Sequence, residues 1–123
     1  KADRVEDSIC ATKAAIKEGI LPGGGIALLN ASDNIKSKNL GEAILLKAIK
    51  APFQTIMDNA GVKIGFVNSE EGLGVNVITG EIVDMVKSGI VDPLLVTKSA
   101  LKNAASVANT ILATDCVINN LRA

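Results

Sequence analysis

The chain of 123 residues has no histidine, tryptophan or tyrosine, and only two phenylalanines, three prolines and two cysteines. Without histidine the usual neutral-pH general base is missing, so any catalysis must work through carboxylates or a metal. A zinc site also loses its commonest nitrogen ligand. The scarcity of aromatics, with a formal net charge of zero from 13 basic and 13 acidic residues, removes both the stacking platform and the basic footprint of a nucleic-acid binder. No apolar run approaches the ~20 residues of a membrane-spanning helix. Lys1-Ala2-Asp3-Arg4 leads straight into a helical pattern, with nothing that reads as a signal peptide. With Lys rather than Met at its start, the chain reads as a piece excised from a longer one. Cys10 and Cys116 lie far apart and read as two buried, reduced thiols, which suits a cytosolic or organellar compartment.

What is present is aliphatic. The hydrophobic fraction of 48% excludes disorder, and the 21% charged fraction suits a hydrated surface. A chain of this length fits one domain or part of one, with a modest alanine-rich core. Val5, Ile9, Thr12, Ile16 and Ile20 repeat at helical spacing and predict a first helix from about Asp3 to Glu18. Acids near its start, lysines near its end and Gly19 beyond it complement the helix dipole and supply a stop. Asp7 falls about 200° around the helix from Val5. It shares a face with Cys10, Ala11 and Ala14, small residues that allow close approach of another surface.

Leu21-Pro22-Gly23-Gly24-Gly25 separates this helix from a second apolar run beginning at Ile26. The glycines fit two readings: a tight corner between packed helices, or a close-approach surface beside a helix N-terminus that favours an anion or polar ligand. A polar loop over Asp33–Asn39 follows. Leu40 then opens a helical stretch with Ile44, Ala48 and Ala51 on one face. Pro52 predicts a kink or a new helix, continued by Phe53, Ile56, Met57 and Ala60 and capped by Gly61. Val62–Gly72 is weakly patterned. Val75–Ile78 and Glu81–Val83, around Thr79-Gly80, predict a small β-hairpin packed on the helices, with one helical turn over Asp84–Ser88. Asp92-Pro93 reads as an N-cap acid followed by first-turn proline, starting a helix to about Thr114. Its faces carry Val96, Ala100, Val107 and Ile111, and Cys116-Val117-Ile118 reads as a short terminal strand.

Several of these stretches carry a resemblance. Arg4-Val5-Glu6-Asp7, Ala11-Thr12-Lys13-Ala14-Ala15 and Glu18-Gly19-Ile20-Leu21-Pro22-Gly23-Gly24-Gly25 are followed in order by Ala51-Pro52, Asn59-Ala60-Gly61 and Gly74-Val75-Asn76. Gly89-Ile90-Val91-Asp92-Pro93 and Val96-Thr97-Lys98-Ser99-Ala100-Leu101 complete the series. Together they resemble the C-terminal part of a group I chaperonin subunit, the Hsp60 family of bacteria, mitochondria and plastids. The resemblance runs from Arg4 almost to the end, with a shortened, divergent region at Val62–Gly72.

The resemblance implies a mainly α fold: a helical bundle of the equatorial-domain type with a small β-hairpin and a short C-terminal strand. Residues 1–123 would be the second half of that ATPase domain. It also implies ATP and Mg2+ as cofactors of the whole protein. Carried over by motif, Asp7 would be the catalytic acid that helps position the attacking water and the Mg2+-bound phosphates. Gly24 would lie against the nucleotide near its sugar. Asn76, Val77 and Ile78 would line the adenine pocket, and Asp92 would bond the ribose hydroxyls. A carboxylate can orient water for attack on a phosphoryl group without histidine, and Mg2+ prefers a few carboxylate and phosphate oxygens. The implied partners are other subunits in a ring, with a co-chaperonin and non-native client proteins engaged through domains this chain lacks. The implied location is the bacterial cytoplasm or the mitochondrial or plastid matrix; nucleic acid and membrane are not implied.

Val77 and Ile78 are bulkier than the family's usual pocket residues. The family's phosphate-binding loop and second essential acid belong to the other half of the domain, and no G-x-x-x-x-G-K-[ST] pattern occurs here. By this reading the piece alone is inactive. A competing reading is a non-catalytic helical interaction module that self-associates, in which Asp7 and Asp92 are helix-start acids and the glycines only turn the chain.

Overall fold

The computed structural model describes residues 1–62, 70–116 and 118–119. They form a mostly helical fold with small strand pairs, in the order α1 (Ala2–Glu18), β1 (Ile20–Pro22), α2 (Ile26–Asn34), α3 (Leu40–Ala48), α4 (Ala51–Ala60), β2 (Leu73–Asn76), β3 (Glu81–Asp84), β4 (Val91–Pro93) and α5 (Leu94–Leu112). The contacts divide the chain into two units, Lys1–Gly19 with Pro93–Ala123, and Ile20–Asp92.

The first unit is built on α1 packed along α5. Gly19 stops α1 with φ +92°, and its N–H donates to the Ala15 carbonyl at 2.8 Å. The Leu94 N–H donates to the Gly19 carbonyl at 3.0 Å, fixing the start of α5 beside the end of α1. The inward face of α1 differs from the expected one. Ala14 is buried and Ala11, Ala15 and Glu18 are half-buried, whereas Val5 and Ile9 are exposed and Ile16 is 81% exposed. Short alanine side chains let two backbones approach closely, so the small-residue arc packs and the aliphatic stripe faces outward. On α5 the inward residues are larger, and most of its alanines are exposed. Leu94, Leu95 and Leu101 are half-buried, while Val96, Val107 and Ile111 are exposed. Both cysteines are exposed rather than buried as expected.

The second unit carries the hydrophobic core. Ile26, Phe53, Met57, Val75 and Met85 are buried together, with Leu29, Ile56, Val62, Val83 and Ile90 packed against them. Pro52 stands in the first turn of α4, where its missing N–H costs nothing, and it starts a new helix as expected. Gly61 ends that helix at φ +66°, and the Val62 N–H returns to the Met57 carbonyl at 3.1 Å, a Schellman-type closure. The Asn39 side chain caps α3 by accepting from the Glu42 N–H at 2.9 Å. On α3 the inward residues are Ala43, Leu46 and Ile49; Ile44, expected to face the core, is exposed.

Strands β2 and β3 pair antiparallel, Leu73 opposite Asp84 through Asn76 opposite Glu81. The expected hairpin exists, but its loop spans Val77–Gly80 rather than Thr79-Gly80, so Val77 and Ile78 belong to the turn. Asp84 closes β3, and the turn after it is held by Ser88 N–H to the Asp84 carbonyl at 2.9 Å. A second two-stranded sheet joins β1 and β4. The terminal strand expected at Cys116–Ile118 centres on Val117, which lies outside the described residues; Cys116 and Ile118 have no regular secondary structure. The divergent stretch read from Val62 likewise falls largely on 63–69, outside the described residues. No described helix is long and apolar enough to cross a membrane.

Candidate functional site

The hairpin turn is organised by Asn76. Its Oδ1 accepts from the Ile78 N–H at 3.0 Å, and its backbone carbonyl accepts from the Gly80 N–H at 2.7 Å. This Asx-type turn competes with the ladder and takes the chain out of the strand, even though Val77 and Ile78 are themselves good strand formers. The result is an apolar tip on a polar hinge. Ile78 is 92% exposed and Val77 is exposed beside it. With Oδ1 engaged, the Asn76 amide nitrogen remains as a donor. Such a tip can cover the flat face of a planar ligand while the amide bonds its edge.

Every residue of the Gly23–Gly25 corner has a packing reason to lack a side chain. A Cβ at Gly23 would meet the Ile90 backbone at 3.1 Å, one at Gly24 would meet Met85 Cε at 2.8 Å, and one at Gly25 would meet the Phe53 backbone at 2.8 Å. Gly24 and Gly25 also have φ of +71° and +78°. The glycines do form a tight corner, but it lies between β1 and α2 rather than between two packed helices, and a ligand at Gly24 would have to meet its backbone. Met85 joins this corner to the hairpin. Its side chain also lies where a Cβ at Gly74 would go, two residues before Asn76 on β2. Gly24 and Asn76 are thus parts of one packed body. Met85 was not identifiable from the sequence as this link, because nothing in its spacing marks it.

Asp92 lies on β4, exposed, between Val91 and Pro93. Its expected role as N-cap of α5 is not realised. Pro93 takes the cap position with φ −66° and ψ 131°, and no side chain caps the helix. A residue before proline is biased to extended backbone, which holds Asp92 in the strand. The surrounding protein partly desolvates its carboxyl and raises its pKa above the ordinary value. Among the described residues it makes no ion pair, so both oxygens are available to a ligand's hydroxyls.

Asp7 belongs to the other unit. It is exposed on α1, and among the described residues it makes no ion pair. A single uncommitted carboxylate fits Mg2+ only as a minor donor beside phosphate oxygens and water. Among the described residues no group of three or more acids and cysteines could hold a metal. Gly24, Asn76, Val77, Ile78 and Asp92 all lie in the Ile20–Asp92 unit.

The chain is mostly helical with short strand pairs, a fold consistent with a fragment of a chaperonin equatorial domain. The chain matches the TCP-1/cpn60 chaperonin family over residues 1–122, and it belongs to that family. Among solved structures it is similar to a group III chaperonin crystallised in the open state, with a TM-score of 0.66 and 30% sequence identity. That match covers 85% of this chain and 25% of the other, so the chain spans about a quarter of the length of the solved relative.

Proposed function

We propose that this chain is the C-terminal half of the equatorial domain of an ATP-dependent protein-folding chaperonin of the group I type, working in a ring of like subunits. Asn76, Val77 and Ile78 receive the adenine, Asp92 binds the ribose hydroxyls, and Gly24 passes close to the sugar through its backbone. Asp7 positions the attacking water, and it contributes an oxygen near the Mg2+-bound phosphates. Mg2+, when bound, neutralises charge developing on the transferred phosphoryl group. The group I assignment rests on the ordered motifs from Arg4 to Leu101, and the cytoplasm or an organellar matrix is the location that fits it.

The observation that carries this reading is the pairing of functions at the hairpin: an apolar tip over Asn76, on the same packed body as Gly24. Family membership supports it. In the complete subunit, Asp7→Ala should slow ATP hydrolysis by orders of magnitude while changing ATP affinity little, because the acid acts on the reaction. Equal losses in affinity and turnover would refute that role. The isolated chain should show no Mg-dependent turnover.

A second reading applies to the isolated chain. The exposed aliphatic residues Val5, Ile9 and Ile16 on α1 favour self-association. A nucleotide-independent dimer in sedimentation would support it.

A further inference from the structure

Outside the residues assigned above, the Ile20–Asp92 unit carries a shallow, open surface depression of about 460 Å³ between the end of α2, the loop after it and the side of α3. Three lysines, Lys36, Lys47 and Lys50, line it together with Ser37, Ile35 and Leu46. Lys47 stands in the last turn of α3 and Lys50 in the turn that leads into α4, and both line it. Lys36 comes from the facing loop. The Asp33 carboxylate lies 3.6 Å from Lys50 Nζ, and the Glu42 carboxylate, beside Ala43, accepts from the Lys38 N–H. Among the described residues, Lys36 and Lys47 make no ion pair. In a chain with no net charge, this is a surface concentration of positive charge from separate segments. Like charges held together in one depression repel each other unless a counter-ion joins them.

We propose that this depression is a binding site for a compact, multiply charged phosphate anion, with Lys36, Lys47 and Lys50 as its charge partners and Ser37 as a hydroxyl donor. Ammonium groups on flexible stems suit a phosphate as point charges, without the planar fork that selects carboxylates. Asp33 acts as a built-in competitor for Lys50. Its pair is solvent-exposed and longer than a good charge-assisted bond, so an incoming anion can displace it.

The test is an NMR titration of the chain with inorganic pyrophosphate in magnesium-free buffer. The amides of Ser37, Ala43 and Leu46 should shift saturably, and the apparent Kd should rise with ionic strength. Lys47→Glu should weaken binding about tenfold or more. Asp33→Asn should tighten it several-fold, a gain that a damaged fold would not produce. Lys102→Glu, an exposed lysine on α5, should leave it unchanged. Shifts that never saturate, that centre on Gly24 and Asn76, or that respond as strongly to Lys102→Glu would overturn the proposal. So would a Lys47→Glu protein that folds normally and binds as before.

Discussion

Lys98 Nζ donates to Glu18 Oε2 at 3.1 Å, joining the last turn of α1 to the first turns of α5 across 80 residues of sequence. Of the three ion pairs among the described residues, this is the shortest. Both side chains retain solvent access, so its worth is that of a surface pair, about 0.5 kcal/mol. A double-mutant cycle with Glu18→Gln and Lys98→Met should return a coupling of that size in urea melts. The coupling should shrink in high salt.

The glycines rank by what surrounds them. Gly61→Ala meets only the cost of a left-handed residue, about 1 kcal/mol, because nothing lies within 4 Å of the added Cβ. Gly24→Ala adds a clash with the flexible end of Met85, which can swing aside at a cost of roughly 1 kcal/mol more. Gly25→Ala drives a Cβ into the Phe53 backbone, which cannot yield, and should destabilise by about 3 kcal/mol or more. Chemical denaturation of the three variants should reproduce that order.

Asn76→Ala should remove the bond to the Ile78 N–H and cost about 1 kcal/mol. Asn76→Asp keeps an acceptor at the same place and should hold the turn. Hydrogen exchange at the Ile78 amide separates the two variants directly. It should accelerate in the alanine variant and stay slow in the aspartate one.

Asp92 gives a pH signature. Because burial raises its native pKa, the folded chain holds this proton to a higher pH than the unfolded chain does. Above the ordinary aspartate value of 3.8, stability should therefore fall as pH rises through the native pKa. Asp92→Asn should raise Tm slightly at pH 7 and leave it unchanged below that window. A variant less stable at pH 7 would contradict this sign.

Helix starts and stops were legible because their chemistry is local. Gly19, Pro52 and Gly61 act within one turn of the backbone, and each does what its residue type dictates. Helix faces were not legible to the same degree. Periodicity reveals that α1 has an apolar stripe through Val5, Ile9 and Ile16, but not which arc another helix covers. The alanine arc packs on α5 instead. At the hairpin, β-branched propensity extended the strand through Ile78, while one side-chain acceptor on Asn76 ended it two residues earlier. At Asp92 the capping signal was misplaced because Pro93 itself stays extended in β4, with ψ 131°, and the helix begins one residue later. Of the candidate site, the residue types were visible; that Gly24 and the hairpin share Met85 needed three dimensions.

The burial of Met85 has a chemical corollary. The chain has two methionines, and both stand in the core, Met85 at 1% and Met57 at 2% exposure. An oxidant in solution reaches their sulfurs only when that core opens. The sulfoxide formed at Met85 would be polar and larger, in the buried core beside Gly24 and Gly74. Each opening that peroxide catches thus leaves a 16 Da mark (one oxygen atom) that the protein cannot easily fold around. The rate at which that mass accumulates counts the openings of the core.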